Sequence, residues 1–422
     1  MEQAHFCVRS PEEILDLLRV GPERVASIVF QGATGNPADF QAVAKQMLWL
    51  SGDGGSSATL LAGRLADEPN TNIHWLPGCT ELLWSDTVAD RSEEVAVAVL
   101  NFLARMDQAR SPATVALSSQ GEVAQVTYKA AGTGTPVVLL PLALAPHQWD
   151  ALLPPLQAKH CTIVLGGRHL KFVESLESRA ASGYSDMVLS LLDLTSPEPH
   201  HALIEVGCGT GALLRRIVRR TGIPRVVGLD INAFLLGEAR DLAASEGLAD
   251  RLDLREGSAE AIPCNDNSFD ITLCSTVLEE VDADRALAEL VRITKPGGRV
   301  VVTVRAVDRE SCWTNLPISK PLRDLFEGPG PNPGVVERGC ADDSLYRRVQ
   351  AAGLIDVRGG PAFAWDRLGS ARFKNREAAR LTRLSADQAE EWRAAMMAAE
   401  AEGSPIWLTE PFHCAVGVKP EP

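Results

Sequence analysis

One run of seven residues, Glu205-Val206-Gly207-Cys208-Gly209-Thr210-Gly211, limits what this chain can fold into more than any other feature. It follows the apolar stretch HALIEV and leads into the helix-patterned ALLRRIVRR, so three glycines sit where a strand hands over to a helix. Glycine admits backbone angles and a closeness of ligand approach that a side chain blocks. The carboxyl ends of strands are also where open α/β sheets bind ligands. Glu205, just ahead of the glycines, adds a carboxylate suited to a cationic amino group.

The surrounding pattern fits that reading. From about Lys171, past the Pro/His-rich linker SPEPHH, strands are expected at Ala202–Val206, Arg225–Leu229, Leu252–Arg255, Phe269–Cys274 and Arg299–Val304, with helices between them. Regular alternation of this kind implies a parallel, doubly wound sheet with right-handed crossovers. Asp230 ends the second strand, where a carboxylate accepts both hydroxyls of a ribose. The glycine turn also satisfies the G-x-G-x-x-A form of a dinucleotide fingerprint. On these residues alone, a nicotinamide cofactor and S-adenosylmethionine both remain open.

Two further stretches, REGSAEAIPCNDNSFDITLCSTVLEEV and ALAELVRITKPGGRVVVTVRA, separate the two. With them the sequence resembles the class I S-adenosylmethionine-dependent methyltransferase family, in its small-molecule branch that includes the ubiquinone-pathway C-methyltransferases. The resemblance covers Val173 to Val307 and continues more weakly to the C-terminus. It implies a Rossmann-like seven-stranded sheet and S-adenosylmethionine as cofactor. It also implies that Glu205, Gly207, Cys208, Gly209 and Gly211 surround the methionine portion, that Asp230 holds the ribose, and that Ile231 packs on adenine. The turn Gly257-Ser258-Ala259-Glu260 meets the adenine edge, with Ser258 where the family often has aspartate. The strand end Cys274-Ser275-Thr276 lies beneath the sulfonium, and Glu279-Glu280 replaces a frequent Glu-His pair, so no histidine is expected there. Tyr184 is the candidate on the N-terminal helix that caps the cofactor in this family, and Arg179 is a candidate to reach the cofactor carboxylate or a substrate anion. Pro296-Gly297-Gly298 reads as a structural turn, and PFHCAVGVKP as the last antiparallel strand, with a structural His413.

At 422 residues the chain exceeds the size at which one core stops growing. Residues 1–120 are expected to form an added N-terminal α/β domain, for dimerisation or as a lid. Residues 121–170 are expected to be a connecting segment with short strands, and 171–422 the methyltransferase domain. Within the first, helices are expected at Glu12–Val20, Asp39–Leu50 and Glu93–Met106, short strands at Ser27–Phe30 and Ala58–Leu61, and a loop at Ser51–Ser57. In the second, Thr114–Leu117 and Val123–Tyr128 read as paired strands, and the turn GTGT precedes a strand at Pro136–Leu140. No GxSxG turn follows, so a hydrolase site is not supported.

A formal net charge of −14 disfavours a nucleic-acid partner. Arg215, Arg216, Arg219 and Arg220 read as a solvated helix face. Nine scattered cysteines without a CxxC pair argue against a disulfide framework and a zinc site, and no metal is expected. A reducing cytoplasm fits, and no signal peptide or membrane-spanning stretch is apparent.

The expected activity is methyl transfer to a small-molecule acceptor, with a possible homodimer. The alternatives are an NAD-dependent oxidoreductase and a noncatalytic S-adenosylmethionine-binding regulator. Catalytic candidates are Tyr184, Arg305 and His169: Tyr184 near the methyl group, Arg305 for an anionic acceptor, His169 as a base. Trp313 and Tyr346 can wall a pocket. Glu327–Gly334 (EGPGPNPG) is expected to shape the acceptor side.

Overall fold

The protein is described by a computed structural model over residues 3–8, 14–31, 46–54, 71–80, 88, 91–109, 114–141, 146–167, 170, 172–309, 312–328, 335, 338–381 and 384–421. It divides into two compact units, with the break between Phe172 and Val173.

The first unit is built on runs of apolar residues long enough to be buried on both faces, as parallel strands require. Its strands are β1 (Ala4–Val8), β2 (Val25–Gln31), β3 (Met47–Gly54), β4 (Thr71–Thr80), β5 (Val115–Ala116), β6 (Ser119–Val123), β7 (Val126–Leu139) and β8 (His160–Gly166). Among the described residues they form one eight-stranded sheet in which β4-β3-β2-β1-β7 lie side by side, with β8 and β6 pairing to β7. β1 to β4 are mutually parallel and β1 is parallel to β7.

Three expectations change here. Met47–Leu50, read as the end of a helix, is the buried start of β3, and the strand continues through Ser51–Gly54 of the expected loop. The run MLWL has no polar alternation because both of its faces are covered, so periodicity cannot tell it from a helix. Residues 121–170 supply β7, which pairs directly with β1, so they complete this sheet instead of connecting domains. The GTGT stretch is not a turn before a strand but a bulge inside β7, where Gly132 and Gly134 have φ of 97° and 138° and the register to β8 shifts. The tight turn lies between β6 and β7, at Ala124 and Gln125, both with positive φ. The helix Ser92–Gln108 packs Val95, Val99, Phe102 and Leu103 against Cys7, Val29, Leu48 and Val137. The expected strand Ala58–Leu61 lies outside the described residues.

Among the described residues the second unit has seven strands: β9 (Leu203–Val206), β10 (Val226–Asp230), β11 (Leu252–Glu256), β12 (Phe269–Ser275), β13 (Thr294–Arg305), β14 (Ile355–Arg367) and β15 (Trp407–Val418). Their order is β11-β10-β9-β12-β13-β15-β14. The first five are parallel, and β15 runs antiparallel to both neighbours. Strand order reverses between β9 and β12, which makes their carboxyl ends the switch point where such sheets bind ligands. One face carries Leu203, Leu273 and Val301 against Val188 and Ile217; the other carries Ile204, Cys274 and Val302 against Leu287 and Val349.

The helices that position the site are α1 (Phe172–Ala180), α2 (Gly183–Asp193), α3 (Ala212–Thr221), α4 (Ala233–Ser245), α5 (Ala283–Ile293), α6 (Lys320–Glu327), α7 (Ser344–Ala351), α8 (Ala371–Leu381) and α9 (Ala386–Ala401). The last two are inserted between β14 and β15, and α9 packs Trp392 on Phe326 of α6 with ring centroids 3.9 Å apart. Pro296–Gly298 lies within the extended entry to β13, with Gly297 at φ 74°. No helix among the described residues is long and apolar enough to cross a membrane. Seven of the eight described thiols are buried, and none is in a disulfide.

Candidate active site

The glycine turn is held in place by two sets of hydrogen bonds. Gly207, Gly209 and Gly211 have φ of 79°, 52° and 67°, so each occupies the left-handed region. The amides of Gly207 and Cys208 both donate to the Leu229 carbonyl, at 2.7 and 3.0 Å. A side chain at Gly207 would run into Val277. Asp230 ties the second strand to the turn: Oδ2 accepts from the Gly209 amide at 2.7 Å and Oδ1 from the Asn232 amide at 2.9 Å.

The second set centres on Arg215, which is 1% exposed and so is not part of a solvated arginine face. Its guanidinium donates to the Thr210 carbonyl at 2.7 Å, to Glu177 at 2.5 Å and to Glu246 at 2.9 Å. Thr210 in turn donates its hydroxyl to Glu177 at 2.6 Å. Arg215, Glu177 and Glu246 therefore brace the turn from behind. No sequence signal marks them, because the partners come from α1 and the end of α4.

Glu205, on the last turnward residues of β9, is 4% exposed, and its Oε2 has no hydrogen-bond partner. Burial and the neighbouring Asp230 push its carboxyl up to about 8, against a smaller opposing pull from Arg179. A buried polar atom without a partner costs free energy, and a cationic group arriving at this position would both pair it and favour its charged form.

Beside Glu205, Arg179 donates to the Thr276 hydroxyl at 3.2 Å and lies over the Tyr184 ring, 4.5 Å from its centroid. Tyr184 is 3% exposed; its hydroxyl shares a 2.6 Å hydrogen bond with Ser275, which is itself bonded to Thr303. Thr276 has a positive φ of 57° and continues the line of β12 toward β13 through its amide on the Thr303 carbonyl at 2.8 Å. The structure thus brings Arg179, Tyr184, Glu205, Ser275 and Thr276 to one strand edge. Cys274 is not with them: its thiol points into the core among Ile204 and Val302, because alternate residues of a strand face opposite sides. Cys208 is likewise buried, and burial pushes both thiols up.

On the other flank, Gly257 donates its amide to the Asp230 carbonyl at 3.0 Å, which sets the Ser258-Ala259 turn against the end of β10. Ser258 Oγ accepts from the Glu260 amide at 3.2 Å, and Ala259 is buried. Ile231 is 64% exposed, a large apolar side chain standing at the mouth of the site.

Arg305 is not placed for a small-molecule anion. Glu279, 0% exposed, accepts from its backbone amide at 2.5 Å, from Nε at 3.0 Å and from Nη2 at 2.7 Å. Through these bonds Glu279 anchors the end of β13. The sequence marks Glu279 as half of an acidic pair but not as the partner of Arg305, which is 26 residues away.

A second charged group follows on the β14–β15 side. Arg372 and Arg376 of α8 both bind Asp366, at 3.2 and 2.9 Å, and Arg372 donates to Glu410 at 2.5 Å. Desolvation pushes the Glu410 carboxyl up, but Arg372, Arg376, Arg305 and Arg179 outweigh it and hold it down at about 2. Asp366, Arg372, Arg376 and Glu410 lay outside every sequence motif.

The remaining candidates separate. His169 lies outside the described residues, as does most of Glu327–Gly334. Trp313 stacks on Phe363 with centroids 5.2 Å apart. Tyr346 shares a 3.0 Å hydrogen bond with the buried His413, whose other nitrogen meets Asp308 at 2.8 Å, so both belong to a packing network.

Within the second unit, residues 204–302, which carry the glycine turn, Asp230 and the end of β12, match the family described as Methyltransferase domain. Among curated proteins, the chain is 42% identical over 106 residues to a ubiquinone/menaquinone biosynthesis C-methyltransferase UbiE of Brucella anthropi, covering 25% of this chain and 40% of that protein. The counterpart from Ruegeria sp. is 36% identical over 114 residues, covering 27% of this chain and 46% of its own length. The matched stretch thus spans less than half of those relatives. Among solved structures, the YcgJ protein from Bacillus subtilis aligns with 56% of this chain and 99% of its own at 17% identity and a TM-score of 0.37.

Proposed function

We propose that the second unit binds S-adenosylmethionine at the carboxyl ends of β9, β10 and β12 and transfers its methyl group to a small-molecule acceptor. The observation that carries this reading is the buried Glu205 carboxylate oxygen with no partner, at the rim of three left-handed glycines. A cofactor with an α-amino group fits that atom. Glu205 would take the amino group, the backbone of Gly207 to Gly211 the amino-acid portion, and Asp230 the ribose. Ile231, Gly257, Ser258 and Ala259 would flank the adenine. When bound, the cofactor supplies a methyl group already activated on a sulfonium.

The chain's own part is positioning and exclusion of water. Arg215, Glu177 and Glu246 hold the glycine turn. Ser275 fixes the Tyr184 hydroxyl, so Tyr184 orients the wall beside Arg179 and does not move a proton freely. The paired arginines on the β13–β15 side leave that wall charged but balanced. Given the relatives' name, carbon acceptors on quinone-like rings are the first acceptors to try. A reducing cytoplasm and a homodimer, the latter checked by light scattering, belong to the same proposal.

Titration calorimetry of the full chain with S-adenosylhomocysteine, followed by transfer of labelled methyl groups across an acceptor panel, tests the reading. Saturable binding is expected, with no fluorescence enhancement of reduced nicotinamide. Absence of heat with both S-adenosylmethionine and S-adenosylhomocysteine at millimolar concentration sinks it; binding without transfer to any acceptor would turn it toward a sensor.

A further inference from the structure

The linker between α2 and β9 carries three ligand-type side chains within four residues. Glu198, His200 and His201 each offer one atom to a common space, and those atoms all lie within 4.8 Å of one another. Glu198 Oε2 is 3.3 Å from His200 Nδ1. That spacing matches two corners of a tetrahedron whose metal bonds are about 2.0 Å long.

The turn is shaped before any ion arrives. The His201 amide donates to the Glu198 carbonyl at 3.0 Å, closing a four-residue turn. Pro199 sits at its second position, where its ring fixes φ. The Glu198 amide donates back to His201 Nδ1 at 3.1 Å, and the two imidazoles meet edge to face with centroids 4.6 Å apart. Behind them, Asp270 accepts from the Ala202 amide at 2.8 Å and from Lys295 at 2.8 Å, which anchors the chain directly after His201. The side chains of His200 and Glu198 are 73% and 60% exposed, so an ion has open access.

We propose that this turn is a binding site for a divalent transition-metal cation of the zinc type, held by two imidazoles and one carboxylate. Imidazole favours zinc, nickel and copper, whereas calcium and magnesium need more oxygen ligands than one carboxylate offers. Three protein ligands leave a position for water, as in an open site. If His201 ligates through Nδ1, the Glu198 amide gives up its bond to that nitrogen. Cysteine spacing, which argues against thiolate-bound zinc, is silent on a histidine and carboxylate set. The site lies at the amino end of β9, opposite Glu205, so the proposal stands apart from cofactor binding.

The test is calorimetric titration of the full chain with zinc chloride, after chelator treatment and with thiols kept reduced. One saturable event per chain is expected, weakened at least about tenfold in His200→Ala and abolished in the double variant H200A/H201A. Cys264→Ser, which removes the partly exposed described thiol, should leave the isotherm unchanged. Unaltered circular dichroism and thermal midpoints keep the histidine variants interpretable. A wild-type isotherm in H200A/H201A overturns the proposal, as does loss of binding in Cys264→Ser alone. So does the absence of a saturable event in the wild-type chain at millimolar zinc.

Discussion

The carboxyl edge of the second sheet handles buried charge in two opposite ways. At the β9 end, Glu205 is enclosed with one oxygen unpartnered and a carboxyl pushed up to about 8. At the β13–β15 end, Glu279 and Asp366 are as deeply enclosed, yet each is grasped by arginine, and Glu410 beside them is held at about 2. The difference teaches how to read a buried acid. One whose partners are supplied by the chain is finished structure, and one without them is costly unless something from outside completes it.

The sharpest way to break that contrast is Glu279→Gln, which removes the carboxylate facing Arg305. It is expected to cost about 3–5 kcal/mol, because a buried charge loses its counter-charge; urea denaturation followed by circular dichroism would measure it. Unchanged stability would mean that the β13 end is less finished than its hydrogen bonds indicate.

Next in size is Gly207→Ala. The new methyl group would meet Val277 at a residue with φ of 79°, for an expected loss of about 2–3 kcal/mol together with cofactor affinity. Wild-type stability in this variant would show that the turn relaxes readily.

Glu205→Gln should do the reverse of Glu279→Gln. Affinity for S-adenosylhomocysteine is expected to fall about tenfold to hundredfold, the scale of one charged hydrogen bond, while stability near neutral pH holds or rises. A variant that binds normally, or unfolds as easily as Glu279→Gln, would erase the distinction between the two ends.

The smallest effect is in pH dependence. Because the folded carboxyl of Glu205 sits at about 8 instead of 4.5, the unfolded chain ionises it first as pH rises. Its contribution therefore favours the fold below that window and is progressively lost across it. Cofactor binding draws on the ionised form, so affinity should strengthen as pH rises toward 8, with release of a proton. Calorimetry in buffers of different ionisation heat would detect the proton, and Glu205→Gln should abolish its release.

The unpartnered end of this edge was legible in the sequence because its parts are contiguous: Glu205 through Gly211 lie in one run, and Asp230 closes the next strand. The finished end was not. Glu279 and Arg305, and Asp366 and Arg372, become partners only when the sheet brings separate elements together, and so do Arg215 and Glu177 behind the glycine turn. Arg215 shows the limit well, since in a run with Arg216, Arg219 and Arg220 nothing distinguishes the arginine that turns inward. The strand β3 failed for another reason: a fully buried parallel strand and a buried helix segment share the same uninterrupted apolar text. In Cys274 the strand position was read correctly but not the face, and the pleat sends its thiol inward while Ser275 meets Tyr184.

The enclosed thiols give the chain a built-in pair of clocks. Burial pushes Cys7 of the first unit and Cys414 of the second up to about 12, which keeps each nearly free of the reactive thiolate while its sheet is intact. A thiol-reactive dye should therefore modify them only as each unit opens, and identifying the labelled peptide by mass spectrometry would time the two openings separately in a single sample.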